Sequence, residues 1–210
     1  MLATGGQPYY PFALLLTLYA AGCVPVARWA AGHARRIAVL VAALAVSVAV
    51  SILASLPVLP VLPVRSVPAA ITAVNSTDGD SIGWPAYVAQ VARAYQALPA
   101  ADRAVAVLVT GNYGEAGALA RYDPGYGLPA VYSGHNELYR FGPPPDSAGV
   151  AVVVSMRDIG TSGWFAECAT VGRLDNGVGV DNEEQGDPIC VCRNPRRPWH
   201  ELWPSFQHYD

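Results

Sequence analysis

Three glycines, Gly111, Gly114 and Gly117, recur every third residue where an apolar run, Val105–Thr110, gives way to a helix-like segment. A turn of this kind between strand and helix can cradle a phosphate with its backbone amides. The spacing, however, is not G-x-G-x-x-G. No Walker lysine exists either, since all thirteen basic residues are Arg. Nucleotide binding is therefore not expected. Asn112, Tyr113 and Glu115 sit in this turn, and "YSGHNELYRFG" places His135, Asn136 and Glu137 just after the next candidate strand. If the two strands run parallel, both loops lie at their carboxyl edge, where open α/β sheets bind ligands. Carboxylate, amide and aromatic groups together suit a sugar, which offers hydroxyls and an apolar ring face. The competing reading is a plain loop with a tight, glycine-dependent turn.

The remaining chemistry is sparse. There is no H-E-x-x-H and no G-x-S-x-G. Asp181–Glu184, "DNEE", reads as a solvated turn; calcium is the alternative, but EF-hand spacing is absent. Cys168, Cys190 and Cys192 allow one disulfide and leave one thiol over. Cys190 and Cys192 are two apart, so on a strand they share a face and one of them meets Cys168. A zinc site is disfavoured because a fourth ligand at metal spacing is missing. Neither a metal nor a cofactor is expected. His200 and His208 lie in the last segment, where Trp199 and Trp203 are four apart and suit a helix docked on the domain.

The elements that must position these residues fall into two regions. Of the chain's 210 residues 52% are hydrophobic and 14% charged, and the apolar excess lies in the first third. Ile37–Leu56 is twenty residues without a charge, eleven of them Val, Ile or Leu. At about 1.5 Å per residue it matches a hydrocarbon core of about 30 Å. Pro11–Ala27 is a second candidate, flanked by Tyr9, Tyr10 and Trp29. The loop 28–36 carries Arg28, Arg35 and Arg36, which places it in the cytoplasm and both termini outside. No basic residue precedes the first span, so a signal peptide is not expected, and Cys23 reads as an ordinary span residue. "PVLPVLPV" then suggests an extended strut over 57–68. Residues 69–210 form the outside domain, with an Asn75-Ser76-Thr77 glycosylation acceptor near its start. From Pro57 onward ten Arg face sixteen acids, a net of −6, which argues against nucleic acid as a partner.

Within that domain Trp84, Tyr87, Val88, Val91, Tyr95 and Leu98 recur at helical spacing, with Pro85 opening the helix and Pro99 closing it. Ala104–Thr110, Ala130–Ser133 and Gly149–Met156 read as strands, and Glu115–Tyr122 as a helix. Asn176-Gly177 is a hairpin signal in a region expected to add antiparallel strands or an excursion loop. The fold expected is two transmembrane helices followed by a small α/β domain, mostly parallel, with an antiparallel carboxyl-terminal excursion.

Four stretches, "TGGQPYYPFALLLTLYAAG", "TGNYGEAGALARYDPGYGLPAVYSGHNELYRFGPPP", "VGVDNEEQG" and "CRNPRRPWHELWPSFQHYD", carry a resemblance. They resemble the carboxyl-terminal part of bacterial family-39, mannosyltransferase-type membrane glycosyltransferases of the GT-C class. The resemblance implies transfer of a sugar from a polyprenyl-phosphate donor to a cell-envelope acceptor, and a multi-pass cell-membrane protein with its last domain outside. It implies a Cys168–Cys192 bridge, and membrane lipid, the lipid-linked sugar and an envelope acceptor as partners. It also implies that the catalytic carboxylate lies in an earlier outside loop without a counterpart here, and Gln7 stands where the family carries a lysine near the lipid phosphate. The expectation is a terminal portion that recognises sugar or acceptor at Asn112, Tyr113, Glu115, His135 and Asn136, with a separate catalytic membrane subunit among its expected partners. The alternative is a membrane-anchored carbohydrate-binding module without catalysis.

Overall fold

The computed structural model describes residues 12–55, 76–122, 125–160 and 162–209. It divides into two units, an amino-terminal helical one and a larger one that runs to Tyr209. The strut expected at 57–68 lies outside the described residues.

The first unit is a pair of helices, α1 (Phe12–Ala30) and α2 (Ala34–Ser55). Both are long and apolar enough to cross a membrane. Three of their hydroxyls bond within the helix: Thr17 donates to Ala13 O, Ser47 to Ala43 O and Ser55 to Ser51 O. This is what an apolar surrounding requires of a hydroxyl. The helices extend further into "RWAAGHARR" than the expected loop 28–36 allows, leaving only Ala31–His33 between them. Alanine and arginine favour the helix, and Gly32 at φ 74° supplies the left-handed turn. Arg36 then donates to Trp29 O at 2.7 Å and lies over the Trp29 ring, capping the end of α1.

The second unit is a five-stranded mixed sheet in the order β2-β1-β3-β5-β4. The strands are β1 (Ala106–Thr110), β2 (Val131–Ser133), β3 (Val150–Val154), β4 (Phe165–Arg173) and β5 (Pro188–Pro195). β1 is parallel to β2 and to β3, whereas β5 is antiparallel to both β3 and β4. β1 and β3 are buried at every position, as their continuous apolar sequence requires of central parallel strands.

One face of the sheet is covered by α3 (Trp84–Gln96) and α5 (Tyr113–Tyr122), through Tyr87, Val88, Val91, Ala118 and Leu119. A single turn, α4 (Ala100–Arg103), joins α3 to β1. The opposite face is covered by the carboxyl-terminal segment, α6 (Trp199–Leu202) and the 3-10 turn Trp203–Phe206. Trp199, fully buried, donates from Nε1 to Ala148 O. The hairpin signal at Asn176-Gly177 belongs to a long excursion between β4 and β5. There the Asn176 side chain accepts from the amides of Val178, Gly179 and Val180, so the loop folds around one residue.

Cys168 and Cys192 face each other across β4 and β5 and are joined in a disulfide. Closing a span of 24 residues contributes about 3 kcal/mol in the chain-entropy model. Cys190 is a buried free thiol on the same face of β5, opposite Thr170.

Candidate functional site

Parallel β1 and β3 are neighbours, yet the chain leaves β1 towards β2 and leaves β3 towards β4 and β5. A crevice at the carboxyl ends of such a strand pair is the usual place for a ligand in an open α/β sheet. The "GNYGEAG" turn leaves β1 here, and Ser155 leaves β3 at φ 58°, a left-handed backbone rare for a serine.

The turn is held by a capping box. Asn112 Oδ1 accepts the amide of Glu115, and Glu115 Oε2 reaches back to the amides of Gly111 (2.8 Å) and Asn112 (3.1 Å). Gly111 also donates to Val154 O, tying the turn to β3. A side chain at Gly111 would crowd Ser155 O and Glu115 Oε2. Gly111 thus serves a close approach of backbone to strand, whereas a side chain at Gly117 would meet open space.

Glu115 is 0% exposed. Its Oε1, together with Ser155 Oγ and Tyr87 Oη, is buried without a hydrogen-bond partner. Burial pushes the Glu115 carboxyl up to about 8, against the pull of the Ser155 hydroxyl and the two capping amides. Ser155 Oγ is near enough to act electrostatically but lacks the geometry of a completed bond. Glu184 comes from the β4–β5 excursion, is 6% exposed and faces Asn112 Nδ2 at 3.5 Å. Burial raises its carboxyl to about 7, less than Glu115 because it lies nearer the rim, with Glu183 and Asp80 adding repulsion. Burial raises the Tyr87 phenol too, and the charges of Glu115 and Glu184 add to the shift. A cavity of about 10 Å³, close to the least that holds one water, touches Trp84, Tyr87, Asn182 and Glu184.

On the β2 side of the same turn three rings stack. His135 lies between Tyr113 (centroids 4.9 Å) and His208 (4.8 Å). His135 Nδ1 accepts the Tyr113 amide at 3.1 Å, and its Nε2 meets the Asn136 amide group at 2.8 Å. The neutral imidazole bearing its proton on Nε2 satisfies the first contact, and the Asn136 amide then turns its oxygen to the second. His208 places Nε2 2.7 Å from Gly111 O and Nδ1 2.8 Å from Phe206 O. Both carbonyls can only accept, so the ring nitrogens are the donors at this junction. The tail adds a parallel bridge beside β2, His135 against His208.

The structure therefore brings all five expected residues, Asn112, Tyr113, Glu115, His135 and Asn136, to one sheet edge but divides their roles. Glu115 and His135 are wholly buried and turn inward, whereas Tyr113 is 58% exposed and Asn112 and Asn136 are half-buried. Glu115 and His135 thus face inward from the other three, and the carboxylate serves the turn by accepting the amides of Gly111 and Asn112. In the "DNEE" stretch Asp181 and Glu183 are exposed, while Glu184 is pulled under by the loop closure Asp187 N to Glu184 O.

Four further members, Tyr87, Ser155, Glu184 and His208, were not expected at the site. Tyr87 read as one more apolar-face residue. Ser155 had a usable signal, since a strand parallel to β1 must end at the same edge. Among the described residues no group of three or more His, Cys, Asp or Glu is placed to hold a metal ion.

The class defined by these features is a mixed α/β domain with a polar switch-point crevice, joined in one chain to a pair of apolar helices. No family model matches the chain, and no match was found among the curated proteins or the solved structures.

Proposed function

We propose that this chain is the terminal membrane and extracytoplasmic portion of a glycosyltransferase that uses a polyprenyl-phosphate-linked sugar, and that its α/β domain recognises sugar or acceptor. The observation that carries the reading is convergence. The stretches "GNYGEAG", "VYSGHN", "VGVDNEEQG" and "SFQHYD" carry the resemblance, and they meet at one sheet edge. Tyr113 N bonds His135, Asn112 faces Glu184, and His208 bonds Gly111 across 97 positions of sequence. Residues spread this widely are brought to one place by the fold alone.

Recognition falls to the exposed part of this edge. Tyr113 rests one ring face on His135 and is 58% exposed, which suits the apolar face of a pyranose. Asn112 and Asn136 flank it with amides for hydroxyls. The buried carboxylates hold the turn on which these groups stand.

The test is titration of the full chain, in nanodiscs, with cell-envelope oligosaccharides. Tyr113→Ala is expected to weaken binding at least tenfold and Tyr113→Phe to preserve most of it, with melting of both variants unchanged. Equal affinity in Tyr113→Ala and the parent would remove the site from the proposal.

In this reading α1 and α2 span the membrane with the Ala31–His33 turn in the cytoplasm. A cysteine placed at Gly32 is expected to escape an impermeant maleimide in intact cells, and one placed at Gly177 to react. Labelling of the Gly32 position in intact cells would reverse the topology.

A further inference from the structure

A second cleft lies away from the switch point, between α3 and the β4–β5 half of the sheet. Its volume is about 420 Å³, within the range of small-molecule sites. Its floor is apolar: Leu98 from the end of the α3 segment, and Ile189 and Val191 from β5. Val171 of β4 stands at its wall, 52% exposed.

Three arginines surround this floor, Arg93 of α3, Arg173 at the end of β4 and Arg193 of β5. Their number is notable in a region that carries a net charge of −6 from Pro57 onward. Arg193 is balanced: its Nε and Nη2 both donate to Asp102 Oδ2, at 3.0 and 2.9 Å. Arg173 donates Nη1 to Gly186 O, a neutral acceptor, so its charge is kept and its position fixed. The Arg93 guanidinium has no hydrogen-bond or ion-pair partner among the described residues. The acids nearest Arg173, Asp187 beside its register partner Pro188 and Asp175 two residues on, lie outside the cleft lining and are engaged elsewhere, Asp187 by Arg157 and Asp175 by Gly177 N and Gln185. The cleft thus offers two uncompensated guanidinium charges beside an apolar floor.

We propose that this cleft binds a phosphomonoester whose organic group is at least partly apolar. Two guanidinium groups match a phosphate dianion in charge and in donor geometry. The floor of Leu98, Ile189 and Val191 takes the attached carbon chain. This site is independent of the carbohydrate-recognition reading and shares no residue with the Tyr113 edge.

The probe is butyl phosphate, titrated calorimetrically into the full chain held in phosphatidylcholine nanodiscs. Saturable binding is expected, several-fold tighter than for inorganic phosphate because of the buried methylenes. Arg93→Gln and Arg173→Gln are each expected to weaken it about tenfold. Both side chains are exposed, and unchanged melting of Arg93→Gln checks that the fold is intact.

Absence of saturable binding would overturn the proposal, as would wild-type affinity in both variants. Equal affinity for inorganic and butyl phosphate would overturn the role of the floor. Repeating the titration in nanodiscs containing phosphatidic acid, whose headgroup is itself a phosphomonoester, names the source of the ligand. Competition by the bilayer assigns the cleft to a lipid headgroup, and unchanged butyl phosphate binding assigns it to a soluble phosphoester; either supports the site.

Discussion

Gly134→Ala is expected to destabilise the α/β domain by about 3 kcal/mol or more and to release its carboxyl-terminal tail. A Cβ at this position would collide with the carbonyl oxygen of Phe206 and stand 2.5 Å from its carbonyl carbon and 2.9 Å from its Cβ. The obstacle is backbone on a segment anchored by Trp199, Trp203 and Phe206, all buried, so no rotamer change relieves it. The bonds at risk are Asn136 N to His208 O and His208 N to Gly134 O, and with them the ring stack beneath Tyr113. The measurement is a thermal melt together with carboxypeptidase digestion of the folded protein. A native melting temperature with a protected tail would mean that the strand and tail can separate at little cost.

Glu115→Gln is expected to flatten the pH dependence of stability without altering carbohydrate affinity. The Glu115 carboxyl is raised from 4.5 to about 8 in the folded protein. The folded state therefore holds this proton more tightly than the unfolded chain. Its contribution is complete below about pH 4.5 and is lost as pH rises towards 8. The loss is on the order of a few kcal/mol. Protonation also turns Oε1 into a donor beside Ser155 Oγ and Tyr87 Oη, which otherwise go unpaired.

Glutamine reproduces that state at every pH. Its oxygen can accept from Gly111 and Asn112, and its amide can face the serine and phenol. The variant should match the parent near pH 5 and melt higher near pH 8.5, with a residual slope from Glu184, itself raised to about 7. A variant less stable than the parent at pH 8.5 would show that the capping amides, helped by the helix dipole, value the charge more than burial penalises it.

The same residue shows where local reading stops. From the sequence Asn112 and Glu115 are polar residues of the turn before a helix, and the structure joins them in a capping box. What the spacing leaves open is whether the second carboxylate oxygen looks into solvent or into the protein. Packing of α3 against α5 closes that space and delivers Tyr87 to it, and the strand β3 delivers Ser155.

The sequence by itself determined the features that rest on short-range periodicity and covalent reach. These are the two apolar helices, the buried face of α3, and the central strands β1 and β3. Hydrophobic spacing decides such things because a helix or strand must bury one face whatever lies opposite. Only the tertiary structure decided which distant groups share a cavity. The register of β4 against β5 sets Cys168 opposite Cys192 and leaves Cys190 opposite Thr170, although both cysteines lie on one face. The return of the tail places His208 on Gly111 O, and the closing of the excursion loop buries Glu184 while its neighbours Asp181 and Glu183 stay exposed. The cleft of Arg93, Arg173 and Arg193 likewise joins one helix to two strands. Each of these depends on how elements far apart in the chain pack and in what register, and no local pattern encodes that.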